Sequence, residues 1–308
     1  MFTMDLQRSL EQIAAVLLPA MFLYLLLELL FLRFRRRRLA VGEAGACGIG
    51  LLVAGIVSAA LALSGMVLGV LVLAQLGASL SPLQGGFAWY GWVYGWVVYE
   101  FWYWIQHWAA HKVRILWCIH APHHAPESIH MLVGANHHFI ETVFYFPIFF
   151  GFLPALCGVP PLICVALNLI DILWGSFLHI SDEVVRGGRY GFLERFLQTP
   201  AHHRVHHARN LRYLDTNYNS ITVLWDWVFR TLQPLREEEP VDYGITREID
   251  TGSYVELHFS EFRKLWLDLQ EATSWMERAG YLFLPPGWKP GDRSGTVAGA
   301  KAAARQVL

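Results

Sequence analysis

HWAAHKVRILWCIHAPHH (His107–His124) opens a stretch that closes with TPAHHRVHH (Thr199–His207), and thirteen of the fourteen histidines lie from His107 to His207. Their spacing is His107-x3-His111, His120-x2-His123-His124, the pair His137-His138, then His179, then His202-His203-x2-His206-His207; only His258 falls outside. On a helix, positions i, i+3 and i+4 share a face, so each box turns two or three imidazoles toward a common point. Imidazole is the commonest nitrogen ligand of transition metals, and a metal is the usual reason to gather so many. A single histidine such as His130 reads as a surface or hydrogen-bonded core residue. Two H-x2-HH boxes in one chain do not.

Working outward, the chain around these boxes is too apolar for a soluble domain. Of 308 residues, 55% are hydrophobic and 16% charged, against about 25% charged in ordinary globular proteins. No Asp, Glu, Lys or Arg occurs from Ala44 to Tyr99 or from Thr142 to Ile170. Uncharged apolar runs beyond about 20 residues read as transmembrane helices. The expected fold is all-α: a polytopic membrane helical bundle of about five spans with a cytoplasmic helical cap that holds a histidine-rich dimetal site. The net charge of −1 carries no message about partners, and no basic, aromatic-laced patch suggests nucleic acid. Cys47, Cys118, Cys157 and Cys164 have no paired spacing and indicate neither disulfides nor a thiolate site.

Four segments are expected: membrane anchor helices over 1–86, a histidine-box core over 87–235, an amphipathic cytoplasmic region over 236–290 and a flexible tail over 291–308. The first span, Ile13 to Leu32, reads as a retained anchor, and Arg33, Arg35, Arg36, Arg37 and Arg38 after it place that end in the cytoplasm. Ala46 to Leu76 is either one long tilted span or a broken pair, and parity favours a single crossing. An aromatic helix from Phe87 to Trp104 runs into His107. Thr142–Leu156 and Pro160–Leu178 form an apolar hairpin turning at 157–161, so the boxes on either side return to one, cytoplasmic, end. Pro122 suggests that His120 ends one element and that His123 and His124 begin another. Phe259, Phe262, Leu265, Trp266 and Leu269 give the region after Arg236 an amphipathic pattern.

Two carboxylates stand inside apolar helices. Glu100, seven residues before His107, is expected to accept from an imidazole N–H or to ligate metal; Asp171, eight residues before His179, is expected to be a buried group supporting the site. Eight or more imidazoles suffice for two metals with positions left open. Nitrogen ligation fits iron, copper or zinc, and two irons are the economical choice. A metal pair at the rim of apolar helices points to a substrate drawn from the bilayer and to oxygen activation at an unactivated C–H bond. A membrane zinc hydrolase or isomerase using the same imidazoles, and a non-catalytic metal-binding membrane protein, are the rival readings.

The series Glu100-x6-His107-x3-His111, His120-x2-His123-His124, His138-x2-Glu141, His179 and TPAHHRVHH resembles the fatty acid hydroxylase superfamily, also called the sterol desaturase family. Asp215-x-Asn217-Tyr218, Trp225-Asp226-x-Val228-Phe229-x-Thr231 and Pro286-Gly287-Trp288-x-Pro290 resemble its branch of bacterial sterol-desaturase-like proteins and alkylglycerol monooxygenases. The likeness covers about residues 87–290. It implies an integral membrane enzyme with two iron ions (Fe2+/Fe3+) that uses O2 to hydroxylate, desaturate or oxidatively cleave a lipid such as a sterol, fatty acyl chain, ether lipid or aminolipid, in a bacterial inner membrane. By motif the metal ligands would be His107, His111, His120, His123, His124, His138, His179, His203, His206 and His207, with His130, His137 and His202 set aside. Glu141, Asn217 and Asp226 carry over as supporting residues. Here Glu100 stands where the family has Asp, Trp108 where it has Arg, and His138-Phe139-Ile140-Glu141 where it has His-Pro-x-Glu. With no haem, flavin or iron–sulfur signature, electrons would come from a cytochrome, a ferredoxin or a reductase, or from a reduced pterin.

Overall fold

A computed structural model describes residues 2–35, 41–60 and 65–307. Arg36, Arg37 and Arg38 of the arginine cluster lie outside the described residues. The described residues form thirteen α-helices, with two π-helical turns and one 3-10 turn, and no strand beyond isolated bridges.

The apolar half is built from α1 (Phe2–Phe34), α2 (Val41–Ala60), α3 (Gly65–Leu80), α4 (Trp89–Lys112) and a hairpin. The hairpin's first leg winds through π-helical turns Glu141–Tyr145 and Ile148–Phe152 into α7 (Leu153–Leu156), and its second leg is α8 (Pro161–Leu178). Pro147 lies between the two π turns and has no N–H to close an α-helical bond. Two helices, Arg8–Phe34 and Pro161–Leu178, are by length and composition apolar enough to cross a membrane; Val41–Val57, Gly69–Leu80 and Glu141–Leu156 are shorter apolar helices. Phe22, Leu26, Leu52, Ile56, Val72 and Val93 point outward from the bundle. Such a girdle matches a lipid rather than an aqueous surround.

Two ends can be assigned to the bundle. At one, the Gly85 N–H donates to the Gly158 carbonyl (2.9 Å), tying the α3–α4 turn to the hairpin tip. At the other, Glu28 of α1 accepts from the amides of Met131 and Ser181 (both 2.8 Å) and Glu43 of α2 accepts from the Glu127 amide (2.8 Å). The Ala46–Leu76 block holds α2 and α3, which together run one way, from the Glu43 end to the Gly85 end; their junction, residues 61–64, lies outside the described residues, and with it the choice between one long span and a broken pair. Glycines let α3 lie against the hairpin: a Cβ on Gly77 would sit 2.3 Å from the Phe152 carbonyl oxygen, and one on Gly151 2.4 Å from that of Val70. Small residues permitting such backbone approach are a recurrent device of membrane helix packing.

The polar half is α5 (Arg114–His124), α6 (Met131–Gly134), α9 (Pro200–His206), α10 (Leu224–Val228), α11 (Tyr254–Glu271), α12 (Trp275–Phe283) and α13 (Val297–Val307). The amphipathic α11 starts where the Ser253 side chain accepts from the Glu256 amide (3.4 Å), and it buries Leu257 and Leu265 while Trp266 stays exposed.

Two expectations are corrected. Pro122 does not divide the second box, because α5 continues through it to His124. Proline removes one N–H, here in the last turn, and the Pro122 carbonyl is held by Asn136 Nδ2 (2.6 Å). The tail from Gly291 is not unstructured: α13 is a helix, with Lys301 Nζ donating to the carbonyls of Leu214 (2.6 Å) and Arg212 (3.2 Å). Its alanine-rich composition is also that of a strong helix former.

Candidate metal centre

The boxes sort themselves into two groups by helical spacing. His107 and His111 from α4, His120 and His124 from α5, and His206 from α9 offer ring nitrogens that all lie within 4.8 Å of one another. His123 from α5, His179 at the end of α8, His203 from α9 and His207 at its end form the second such group. Each H-x2-HH box therefore gives its i, i+4 pair to one group and its remaining histidine to the other. His124 and His207 stack across the divide at 4.4 Å between ring centroids, and His124 meets His206 at 4.6 Å.

Within the second group the Nε2 atoms are 2.8 Å (His179–His203), 3.1 Å (His203–His207), 3.2 Å (His179–His207) and 3.2 Å (His123–His179) apart. A cation held at about 2.1 Å by imidazole nitrogens would separate adjacent ligands by roughly 3–3.4 Å, so the spacing fits one ion. Tautomers make the case stronger. His123 Nδ1 donates to the Val133 carbonyl (3.1 Å) and His179 Nδ1 to the Gly175 carbonyl (2.6 Å); carbonyls only accept, so both Nε2 atoms are bare lone pairs facing each other. A metal cation between them removes that repulsion. In the first group, His107 Nδ1 donates to the Tyr218 carbonyl and His206 Nδ1 to the Thr216 carbonyl (both 2.8 Å), which leaves their buried Nε2 atoms, like that of His111, without a partner. His120 Nε2 lies 3.1 Å from His124 Nε2.

Burial, reinforced by neighbouring imidazoles, holds the His123, His124, His203 and His207 rings well below the usual histidine pKa. Neutral rings are what a metal needs.

The expected supporting carboxylates take different posts. Glu141 touches the centre: it accepts from His120 Nδ1 (2.7 Å) and His137 Nδ1 (3.0 Å) while fully buried. Glu100 touches no imidazole. It accepts from the amides of Ile221 (2.9 Å) and Thr222 (3.1 Å) and from the Asn219 and Thr222 side chains, clamping the loop whose Tyr218 carbonyl receives His107. Asp171 likewise binds Ser220 Oγ and Tyr99 Oη rather than a histidine. Asn217, at φ +58°, bridges the His202 and Gln233 carbonyls, and Asp226 gathers the Tyr218 and Asn219 amides, Gln198, Trp104 and Thr231.

His138 departs most from expectation. It lies in neither group, being packed among Phe259, Phe262 and His258 with its Nε2 unpartnered. Adjacent residues of the turn before the hairpin face opposite ways, and it is His137 that faces inward, stacking on His123 at 4.2 Å and joining His120 and Glu141 in a third potential group. The i, i+4 spacing of His137 and Glu141 was the available signal. His202 stays outside, 3.4 Å from Thr199 Oγ1. Glu28, Glu43 and the carbonyls of Val133, Gly175, Thr216 and Tyr218 belong to no motif in the sequence; carbonyls carry no side-chain signature.

A fatty acid hydroxylase family model matches residues 92–231, which hold all nine histidines of the two groups. Residues 92–231 are a fatty acid hydroxylase domain. Relatives resemble the chain beyond it: the human alkylglycerol monooxygenase is 30% identical over 210 residues, 68% of this chain and 44% of that protein, and the Danio rerio one 33% identical over 201 residues, 64% and 42% respectively. The ornithine lipid hydroxylase of Rhizobium tropici is 30% identical over 166 residues, 54% of this chain and 48% of its own. The chain spans under half the length of the curated relatives it matches. No solved structure shows a significant match. The matched stretch starts inside α4 and ends at Thr231, so α1–α3 and α11–α13 lie outside it.

Proposed function

We propose that the protein is an O2-dependent di-iron oxygenase that hydroxylates, desaturates or oxidatively cleaves a membrane lipid. The observation that carries this reading is the convergence of bare, buried Nε2 atoms into two adjacent groups. One iron would be held by His107, His111, His120, His124 and His206, the other by His123, His179, His203 and His207. An iron pair so held supplies O2 activation for attack on a C–H bond. Glu141 would fix the His120 and His137 tautomers and raise their basicity. Two relatives named as a monooxygenase and a lipid hydroxylase support a lipid substrate.

The bundle would cross the membrane five times, through α1, the α2–α3 pair, α4 and the two hairpin legs. The arginines after α1 support a cytoplasmic position for the metal end of a bacterial inner-membrane protein. Electrons would be delivered from outside by a cytochrome, ferredoxin or reductase, or by a reduced pterin. Protein purified without chelator is expected to hold two irons per chain, and His206→Ala to lose activity and about half the metal. Full iron with full activity in that variant, or wild-type turnover that persists without O2, overturns the reading.

A further inference from the structure

At the end of the bundle opposite the hairpin tip, a cavity of about 490 Å³ leads to the histidines. His111, His124, His206 and His207 form part of its wall, so it touches both groups. Apart from Lys112 at the end of α4, the remaining wall comes from the polar half: residues within 208–215, 244–247 and 285–300, with side chains of α5 and α11. None of α1, α2, α3, the hairpin leg or α8 contributes, which sets this approach apart from one through the apolar bundle.

Its cations differ in how well they are satisfied. Lys112, Arg114, Arg209, Arg247 and Lys264 line it with Asp215 and Glu261, while Asp242 and Glu127 pair with Arg209 (2.8 and 3.1 Å) and Asp268 with Lys264 (3.5 Å) from behind the wall. Asp215 is already paired with Lys112, and Glu261 is shared by Arg247 (2.9 Å) and Arg114 (3.5 Å). Arg114 is 5% exposed, yet its Nε and Nη2 make no hydrogen bond; its nearest carboxylate oxygens, on Glu261 and Asp268, stand at 3.5 and 3.6 Å. A buried guanidinium with unused donors in a cavity wall is costly unless something accepts from it. The start of α13 faces the same space: Thr296, Val297 and Ala298 line the cavity, and although Thr296 Oγ1 accepts from the Gly299 amide (3.1 Å), a helix N-terminus favours an anion. Trp117, Leu211, Leu214 and Ile245 make much of the remaining surface apolar.

We propose that this cavity binds a small organic molecule bearing a phosphate or carboxylate, held at Arg114 and the first turn of α13, with its body against the metal-side histidines. The inference rests on the oxygenase reading for what the molecule meets, not for whether it binds. A soluble metabolite and a lipid headgroup share this chemistry.

Phenyl phosphate serves as the probe, titrated calorimetrically at constant ionic strength against metal-loaded full-length protein in phosphatidylcholine nanodiscs, with phenol as the neutral control. Saturable binding of phenyl phosphate but not phenol is expected. Arg114→Gln should weaken it at least tenfold, and Ala298→Trp, which fills the cavity without touching charge, should abolish it with the melting midpoint retained. No saturable binding to the wild type, or binding indifferent to both variants, overturns the proposal. Repeating the titration in nanodiscs containing phosphatidylglycerol separates the sources: competition assigns the site to a headgroup, undisturbed binding to a soluble molecule. Neither arm involves O2 or turnover, so a failed oxygenase reading leaves this result interpretable.

Discussion

At the scale of single residues, the centre depends on what each Nδ1 does. Four carbonyls and one carboxylate take the Nδ1 protons and thereby aim Nε2 inward. Glu141 is the side chain among these five, and so the one open to substitution. Glu141→Gln keeps the shape but replaces a charged acceptor with a neutral amide, and metal affinity is expected to fall about 10- to 100-fold, read as metal retained against graded chelator. His138→Ala, away from both groups, should keep the wild-type metal content; a drop to half on elemental analysis would return His138 to the ligand set. The choice between His137 and His138 was legible only in the i, i+4 spacing of His137 and Glu141, because neighbouring residues otherwise differ just in which way the backbone turn faces them.

At the scale of elements, spacing predicted the sharing of histidines correctly only in part. The i, i+4 geometry of α5 and α9 was visible, but the split of each box between two groups required both helices side by side. Helix α4 was legible from its aromatics, and the hairpin from its proline-flanked turn. The packing of α3 on the hairpin leg was not, since it rests on backbone contact at glycines. Gly77→Ala is expected to destabilise the protein by roughly 1–3 kcal/mol, whereas Gly55→Ala, with nothing within 4 Å of the added Cβ, should be neutral. Thermal melting in detergent distinguishes the two; equal midpoints would contradict the tight α3 contact.

At the scale of the whole molecule, the centre is assembled by α4, α5, α8 and α9, which are separated by up to 100 positions in the chain (His107 to His207). A cation binding only this assembled state stabilises it by mass action. Metal removal is therefore expected to lower the melting midpoint and broaden the transition, with recovery on adding Fe2+ anaerobically. An unchanged midpoint after complete removal would mean that packing alone holds the four helices together. Glu100, Asp171 and Asp226 contribute to that packing by pinning the 217–222 loop against α4 and α8.

Composition and periodicity by themselves determined an all-helical, apolar chain with a metal-binding purpose, because hydropathy and i, i+4 spacing are local properties. The return of distant boxes to one end was also inferable, since a hairpin must come back. Tertiary structure alone decided which histidine joins which group, why Glu100 braces a loop while Glu141 touches an imidazole, and that the last residues form a helix walling a cavity. Those outcomes depend on the direction of side chains and on backbone carbonyls brought together across the fold, and neither is written in the spacing of residue types.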